Sequence, residues 1–309
     1  MGRFVAQRLV GLLLTLWVIV TITFLLMHAI PGDPFRGESR IPESVLKNIR
    51  AFYGTDQPLW EQYGRYLWNL VRGDLGPSFK NTGQSVNELI GDGAAVSAIL
   101  GFQALIIALV FGLLLGIVSA LRPGGLADGT AMLFGTVGVS VPGFVLAPIL
   151  IQVLAVQAGW FPVATWGTWR HTVLPSLALS FLPMAYVARL VRSSLLETLG
   201  QDFVRTARAK GLRPWRVMTV HALRNSLIPL TTVLGPLIAN IVVGSFVIEE
   251  IFGIPGTGKQ LVRAIFERNY PVILGSAIYY SVVLLSLNLL VDIAYGVIDP
   301  RIRVARSNA

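Results

Sequence analysis

No cysteine occurs anywhere in this 309-residue chain, which excludes disulfides, thiolate metal sites and cysteine nucleophiles. Histidine is nearly as scarce: His28, His171 and His221 are dispersed and lack the spacing of a zinc site. Charge is thin too, with Asp, Glu, Lys and Arg supplying only 13% of the residues. Neither a Ser-His-Asp set nor a paired-carboxylate arrangement stands at membrane depth, so an intramembrane enzyme lacks its catalytic groups. Internal repeats, low-complexity tracts and long charge blocks are likewise missing. What the chain has instead is apolar residues, at 54%, well above ordinary globular usage.

That apolar content is arranged in long uncharged runs. Residues 9–30 carry no acid or base except His28, and 93–121 run uncharged from Asp92 to Arg122. Residues 129–169 are too many for one span, and read as a helix to about Gln157 followed by an outer loop. Residues 172–188, 225–248 and 269–291 complete the set. A hydrocarbon core needs roughly 20 helical residues, so six spans are expected. The first resembles a signal peptide in its Arg3 and Arg8, but its apolar run exceeds an h-region of about 7–15 residues and no A-x-A site follows. It is expected to stay as an anchor.

Lys and Arg in the short loops set the orientation. With the N-terminus inside, Arg3, Arg8, Arg122, the basic residues of 189–224, and Arg301, Arg303 and Arg306 all face the cytoplasm. Acids and bases nearly cancel in the outer loops. Both termini are therefore expected inside, and the net charge of +9 reads as a topology signal, not as a nucleic-acid footprint. The expected layout is an N-terminal span (1–30), an extracytoplasmic insert (31–93), a membrane domain (94–298) and a cytoplasmic tail (299–309). Within the insert, 42–53 and 58–71 read as amphipathic helices, with Val45, Ile49 and Phe52 on the apolar face of the first.

Glycines and prolines crowd the middle spans: Gly112-x-x-x-Gly116, Gly135, Gly138, Pro142, Pro175, Pro183 and Pro236 among them. Small residues let helices approach closely in lipid, and prolines leave carbonyls free where helices line a cavity. Together they favour a bundle that moves or encloses a path.

Three features compete for a functional reading. Gly253-Ile-Pro-Gly-Thr-Gly258-Lys259-Gln260 imitates a phosphate-binding loop, but Gln260 replaces the Mg²⁺-binding Ser or Thr and no α/β context surrounds it. It reads as a turn before a helix at 260–267. Glu249 and Glu250 end span five, and are expected on a hydrated rim in preference to holding a cationic substrate group. Asp292 is the ionisable residue within a span; pairing with a basic residue of a neighbouring helix is preferred to a transport role. With so few buried charges, a proton- or sodium-coupled carrier lacks its relay, and the energy source is expected outside the chain.

The most telling segment is 202–225, DFVRTARAKGLRPWRVMTVHALRN, basic and set between two spans. Asp202 reads as an N-cap, 203–210 as a short helix, Gly211 as a left-handed C-cap and Pro214 as the first residue of a second helix. His221 joins the same basic surface. A rigid hairpin beside the membrane suits docking into a soluble partner.

Several blocks of the sequence resemble those of a known family. Pro31-Gly-Asp-Pro34, Arg205-Thr-Ala-Arg-Ala-Lys-Gly211-Leu212, Glu249-Glu-Ile-Phe-Gly-Ile-Pro-Gly256 and Asn288-Leu-Leu-Val-Asp-Ile-Ala-Tyr295 through Asp299-Pro-Arg301 are similar, in order, to blocks of the type I ABC importer permeases. The branch is that of peptide and nickel transport. Gly73-Asp-Leu-Gly-Pro-Ser-Phe-Lys80, Ser85-Val-Asn-Glu-Leu89 and Pro34-Phe-Arg-Gly-Glu38 look most like the first of two oligopeptide permease subunits. The resemblance implies an all-α polytopic membrane protein of six transmembrane helices that lies in the bacterial inner membrane. Its implied partners are a second, similar permease, two cytoplasmic ATPase subunits, an extracytoplasmic peptide-binding protein and membrane lipid. It also implies that Asp202, Phe203, Val204, Arg205, Ala207, Arg208, Ala209, Lys210, Gly211 and Leu212 form the coupling helix on an ATPase. Phe203, Val204 and Ala207 would offer apolar contact there, while Arg205, Arg208 and Lys210 steer. The chain would be no enzyme and hold no cofactor or metal, with oligopeptide as cargo. Dipeptide, glutathione or nickel permeases of the same family remain alternatives, as does, from another class, a stand-alone ion-coupled carrier.

Overall fold

The computed structural model describes residues 2–30, 35, 42–80 and 83–298. Described residues fold into helices joined by turns, as a bilayer requires of backbone groups that find no water partner. In chain order they are α1 (Gly2–Ala29), α2 (Glu43–Tyr53), α3 (Leu59–Val71), α4 (Val86–Leu121), α5 (Leu126–Ser140), α6 (Gly143–Leu150, continued by a wider π-type stretch Ile151–Gln157) and α7 (Trp169–Leu199). Then follow α8 (Asp202–Ala209), α9 (Pro214–Arg216, with a π-type stretch Val217–Leu223), α10 (Arg224–Ser226), α11 (Ile228–Ile251), α12 (Thr257–Phe266) and α13 (Tyr270–Ile298). Among the described residues four helices are long and apolar enough to cross a membrane, and two bent pairs bring the number to six if each pair is one span.

One bent pair corrects the expected helix to Gln157. Leu126–Ser140 and Gly143–Gln157 meet at 109°. The break falls at Val141 and Pro142, where the backbone is extended and Pro142 N-caps α6. A proline bars the preceding residue from helical geometry and supplies no donor to the turn behind it. The second pair, Pro214–Ser226 with Ile228–Ala239, bends by 48° just before Pro229.

The chain divides into two compact units. The first comprises residues 1–96 and 255–285. Its core holds Val86, Ile90, Ala264, Tyr270, Val272 and Ile273. A buried polar stitch accompanies it: Asn269 donates from Nδ2 to Ser78 Oγ at 2.8 Å and accepts from the Phe79 backbone at 3.0 Å. Both insert helices begin after a proline, Pro42 and Pro58, as expected. The face of α2 differs from the expectation, however. Leu46 is its buried residue, whereas Val45 and Phe52 are exposed. One residue of rotation separates the two choices.

The second unit comprises residues 97–254 and 286–309, and α7 is its axis. Val187 and Val191 of α7 pack with Leu230 and Leu237 of α11. Glycines bring α4 and α5 against α7. A Cβ on Gly112 would stand 2.9 Å from the Met184 carbonyl oxygen, one on Gly116 2.7 Å from that of Ala188, and one on Gly138 2.6 Å from Ala185 Cβ. No side chain fits in those three places, which is the close approach that small residues permit in lipid.

Candidate coupling hairpin and buried charge clamp

The basic segment folds as its punctuation suggests. Gln201, with extended backbone, caps α8, one residue before the expected Asp202, which instead lies in the first turn. A carboxylate there favours the positive end of the helix dipole. Its contact with Arg205, 3.5 Å away, is fully in solvent and contributes little. At the other end Gly211 has φ +74°, and two bonds close the helix: Gly211 donates to the Arg208 carbonyl at 2.9 Å and Leu212 to that of Ala207 at 3.4 Å. This paired pattern needs a left-handed residue at Gly211. Arg213 is extended, and Pro214 starts the second limb at its first position.

The ten residues predicted to couple separate into two groups. Val204 and Ala207 are buried in a small cluster with Val217, beside Leu199 and Leu212. They therefore fix α8 to the second limb and to the end of α7, and do not offer themselves to a partner. The outward surface belongs to Phe203, 43% exposed, with Arg205, Arg208, Ala209, Lys210 and Gly211. Trp215, 77% exposed, adds a second aromatic that the sequence reading passed over. The available signal was a tryptophan between Pro214 and Arg216 in an otherwise basic run. His221 is half-buried.

A chain of apolar contacts leads from the hairpin inward. Leu199 touches the hairpin cluster and also the cluster of Ala120, Leu195 and Ala222, which joins the ends of α4 and α7 to the second limb. Close in sequence to Ala120 lies a buried charge that the sequence leaves unmarked. Asp128, in the first turn of α5, accepts from Arg192 at both oxygens, Nε to Oδ1 at 2.6 Å and Nη2 to Oδ2 at 2.7 Å. Ser119 Oγ donates to the same carboxylate, and the Gly124 backbone donates at 2.8 Å. A bidentate guanidinium–carboxylate pair with two further donors is a geometrically specific contact, and it clamps α4, α5 and α7 together. The pattern Asp128–Arg192 spans 64 positions, so nothing local announces it.

Glu249 overturns the expectation of a hydrated rim. It is fully buried and accepts from Ser97 Oγ at 2.7 Å, while its backbone carbonyl receives Ile254 N–H at 2.8 Å. Glu250, its neighbour, is exposed. The phosphate-loop lookalike is a turn: Gly253 has φ +65°, and Gly256 caps α12. The Thr257 backbone nitrogen sits 2.7 Å from where a Cβ of Gly93 would be, and Thr257 Oγ1 lies 2.7 Å from the Tyr280 hydroxyl, so that backbone is packed against its own chain. The side chain of Asp292, the block Asp299–Arg301 and the motif Pro31–Pro34 fall outside the described residues.

Comparison with known proteins agrees with this architecture. Residues 112–304 match the family described as binding-protein-dependent transport system inner membrane component, and residues 1–92 match its N-terminal companion. The dipeptide transport system permease protein DppB of Bacillus subtilis is 49% identical over 98% of this chain and 99% of its own length. The oligopeptide transport system permease protein OppB of Haemophilus influenzae is 42% identical over 98% of this chain and all of its own. A crystal structure of an amino acid ABC transporter superposes with a TM-score of 0.54 at 20% identity, covering 68% of this chain and 94% of that one. The chain belongs to the family of binding-protein-dependent inner-membrane transport components. It is a multi-pass permease subunit with the type I ABC importer fold, and ATP hydrolysis resides in separate subunits.

Proposed function

We propose that this chain forms half of a peptide-translocation path and is driven by an ATPase gripping the 202–225 hairpin from the cytoplasm. The carrying observation is the division of that hairpin into an inward apolar face, fixed by Val204, Ala207 and Val217, and an outward basic-aromatic face. A knob rigidly joined to α7 transmits displacement; a loosely hinged one absorbs it. Phe203 and Trp215 supply apolar anchors for a groove in the ATPase, and Arg205, Arg208 and Lys210 set register by charge. Closure of the ATPase pair on ATP then moves the hairpin, and Leu199 and the Asp128–Arg192 clamp carry that movement to α7, α4 and α5. The basic residues around 189–224 support an orientation with this face, and both termini, inside.

A second, similar permease completes the path, and a binding protein delivers cargo from outside. The 73–89 segment favours the oligopeptide branch. Identity to the Bacillus dipeptide permease favours shorter cargo and supports a second reading. Reconstitution tests both: vesicles holding the two permeases, the ATPase subunits and the binding protein are expected to take up labelled peptide only with ATP, and a length series from dipeptide upward separates the readings. Peptide uptake by the membrane chains without the ATPase would overturn the proposal.

A further inference from the structure

Helix α3 carries a surface that the transport reading leaves unused. Its three sides are distinct. Along one, Gln62, Tyr63 and Tyr66 lie against α1: the Tyr63 hydroxyl is 2.6 Å from Thr21 Oγ1, the Tyr63 and Tyr66 rings stand 5.2 and 5.8 Å from that of Phe24, and Gln62 is 3.1 Å from the His28 ring. Along the second, Glu61, Arg65 and Arg72 recur at helical spacing and make a polar side. Along the third, Trp60, Leu67 and Val71 recur with Trp68 at the border, and Trp60 and Val71 are 73% and 82% exposed.

The contacts with α1 fix where that third side lies. The α1 segment Ala6–Ala29 is a candidate span with little of its surface buried, so its flanks face lipid. Thr21 is seven positions before His28, about 10 Å along the helix axis at 1.5 Å per residue. A helix touching Thr21, Phe24 and His28 together lies alongside the last two turns of the span, not beyond its end. Its open apolar side is then continuous with the lipid-facing surface of α1. Tryptophan is the side chain favoured at such a boundary, because its ring is apolar and its N–H is not. Trp68 fits further: the Arg72 guanidinium covers its ring at 4.5 Å from the centroid, a stem laid on an apolar face with the charge turned toward water.

We propose that α3 is a membrane-interfacial helix, embedded beside α1 with Trp60, Leu67 and Val71 in the acyl–headgroup boundary, so that the segment after the first span is held on the bilayer surface by lipid. This chain has no cysteine, so one introduced cysteine, with the partner subunits made cysteine-free, carries a unique label. Nitroxide labels on Trp60→Cys, Val71→Cys and Arg65→Cys in the complete transporter, reconstituted into phosphatidylcholine vesicles, are relaxed by oxygen, which concentrates in lipid, or by a nickel chelate, which stays in water. The oxygen-to-nickel ratio is expected to be severalfold higher at 60 and 71 than at 65. Equal ratios at the three sites would overturn the proposal in favour of a wet surface. Protection of 60 and 71 from both agents would overturn it in favour of a protein partner. A second readout avoids labels: brominated phosphatidylcholine should quench the wild type more than Trp60→Phe, and equal quenching counts against the lipid contact. Neither ATP nor peptide enters these measurements, so their outcome stands apart from the transport reading.

Discussion

Helices α8 and α3 are both short and amphipathic, yet they dispose of their apolar sides in opposite ways. In α8 Val204 and Ala207 turn inward onto Val217, and the arginines face out with Phe203 beside them. In α3 the inward side is aromatic and polar, Tyr63, Tyr66 and Gln62 on α1, and the large apolar residues Trp60 and Val71 remain outside. Amphipathic spacing says that a helix has two kinds of side. It does not say which kind meets the rest of the chain. That depends on the surrounding medium: an apolar side left outside is costly in water and comfortable in lipid.

Substitutions on the two helices test this contrast, and the largest effect belongs on the inward side of α8. Val204→Asp places a carboxylate among apolar residues, with an expected loss of about 4 kcal/mol in hairpin stability. Protease nicking between 202 and 216 should rise sharply and the ATPase subunits should no longer co-purify. Next comes Gly211→Val. Open space surrounds Gly211, so the cost is conformational alone, about 1–2 kcal/mol for a branched residue at positive φ. Insertion should be normal, with ATP hydrolysis proceeding but uptake reduced; full uptake would show that the hinge geometry is dispensable. Phe203→Ala removes only an outward anchor, and is expected to weaken ATPase binding roughly fivefold, about 1 kcal/mol, with thermal unfolding of the chain unchanged. Smallest of all is Trp60→Gln on α3. Its effect on unfolding in detergent should stay within about 0.5 kcal/mol, because the ring touches no core. A larger drop would place that ring inside the protein and break the contrast.

The parts legible in the sequence are those governed by local rules. Span positions follow from length and polarity, because a bilayer tolerates nothing else, and the turn at Gly211-Leu-Arg-Pro214 follows from two residues with fixed backbone preferences. The break at Val141-Pro142 was marked by its proline, but the long uncharged run around it disguised two helices as one. Partners distant in the chain left no trace. Arg192 is as basic as its neighbours and gives no sign that it is held by Asp128. Glu249 sits next to Glu250 and differs from it only in facing Ser97. Val204 and Phe203 are adjacent apolar residues with opposite fates, and only the position of Val217 decides between them.

The glycine seam between α4 and α7 bears on how such a machine moves. Side chains that interdigitate let one helix ratchet past another by changing rotamer, but at Gly112 and Gly116 the α4 backbone meets a carbonyl oxygen and a β-branched side chain, Val187 or Val191, with no spare width. Sliding there would drive the α4 backbone into those carbonyls and the stiff valine branches. These two rods travel as one strut, and flexure is left to the joints where the chain already turns, at 109° beside Pro142 and at 48° ahead of Pro229.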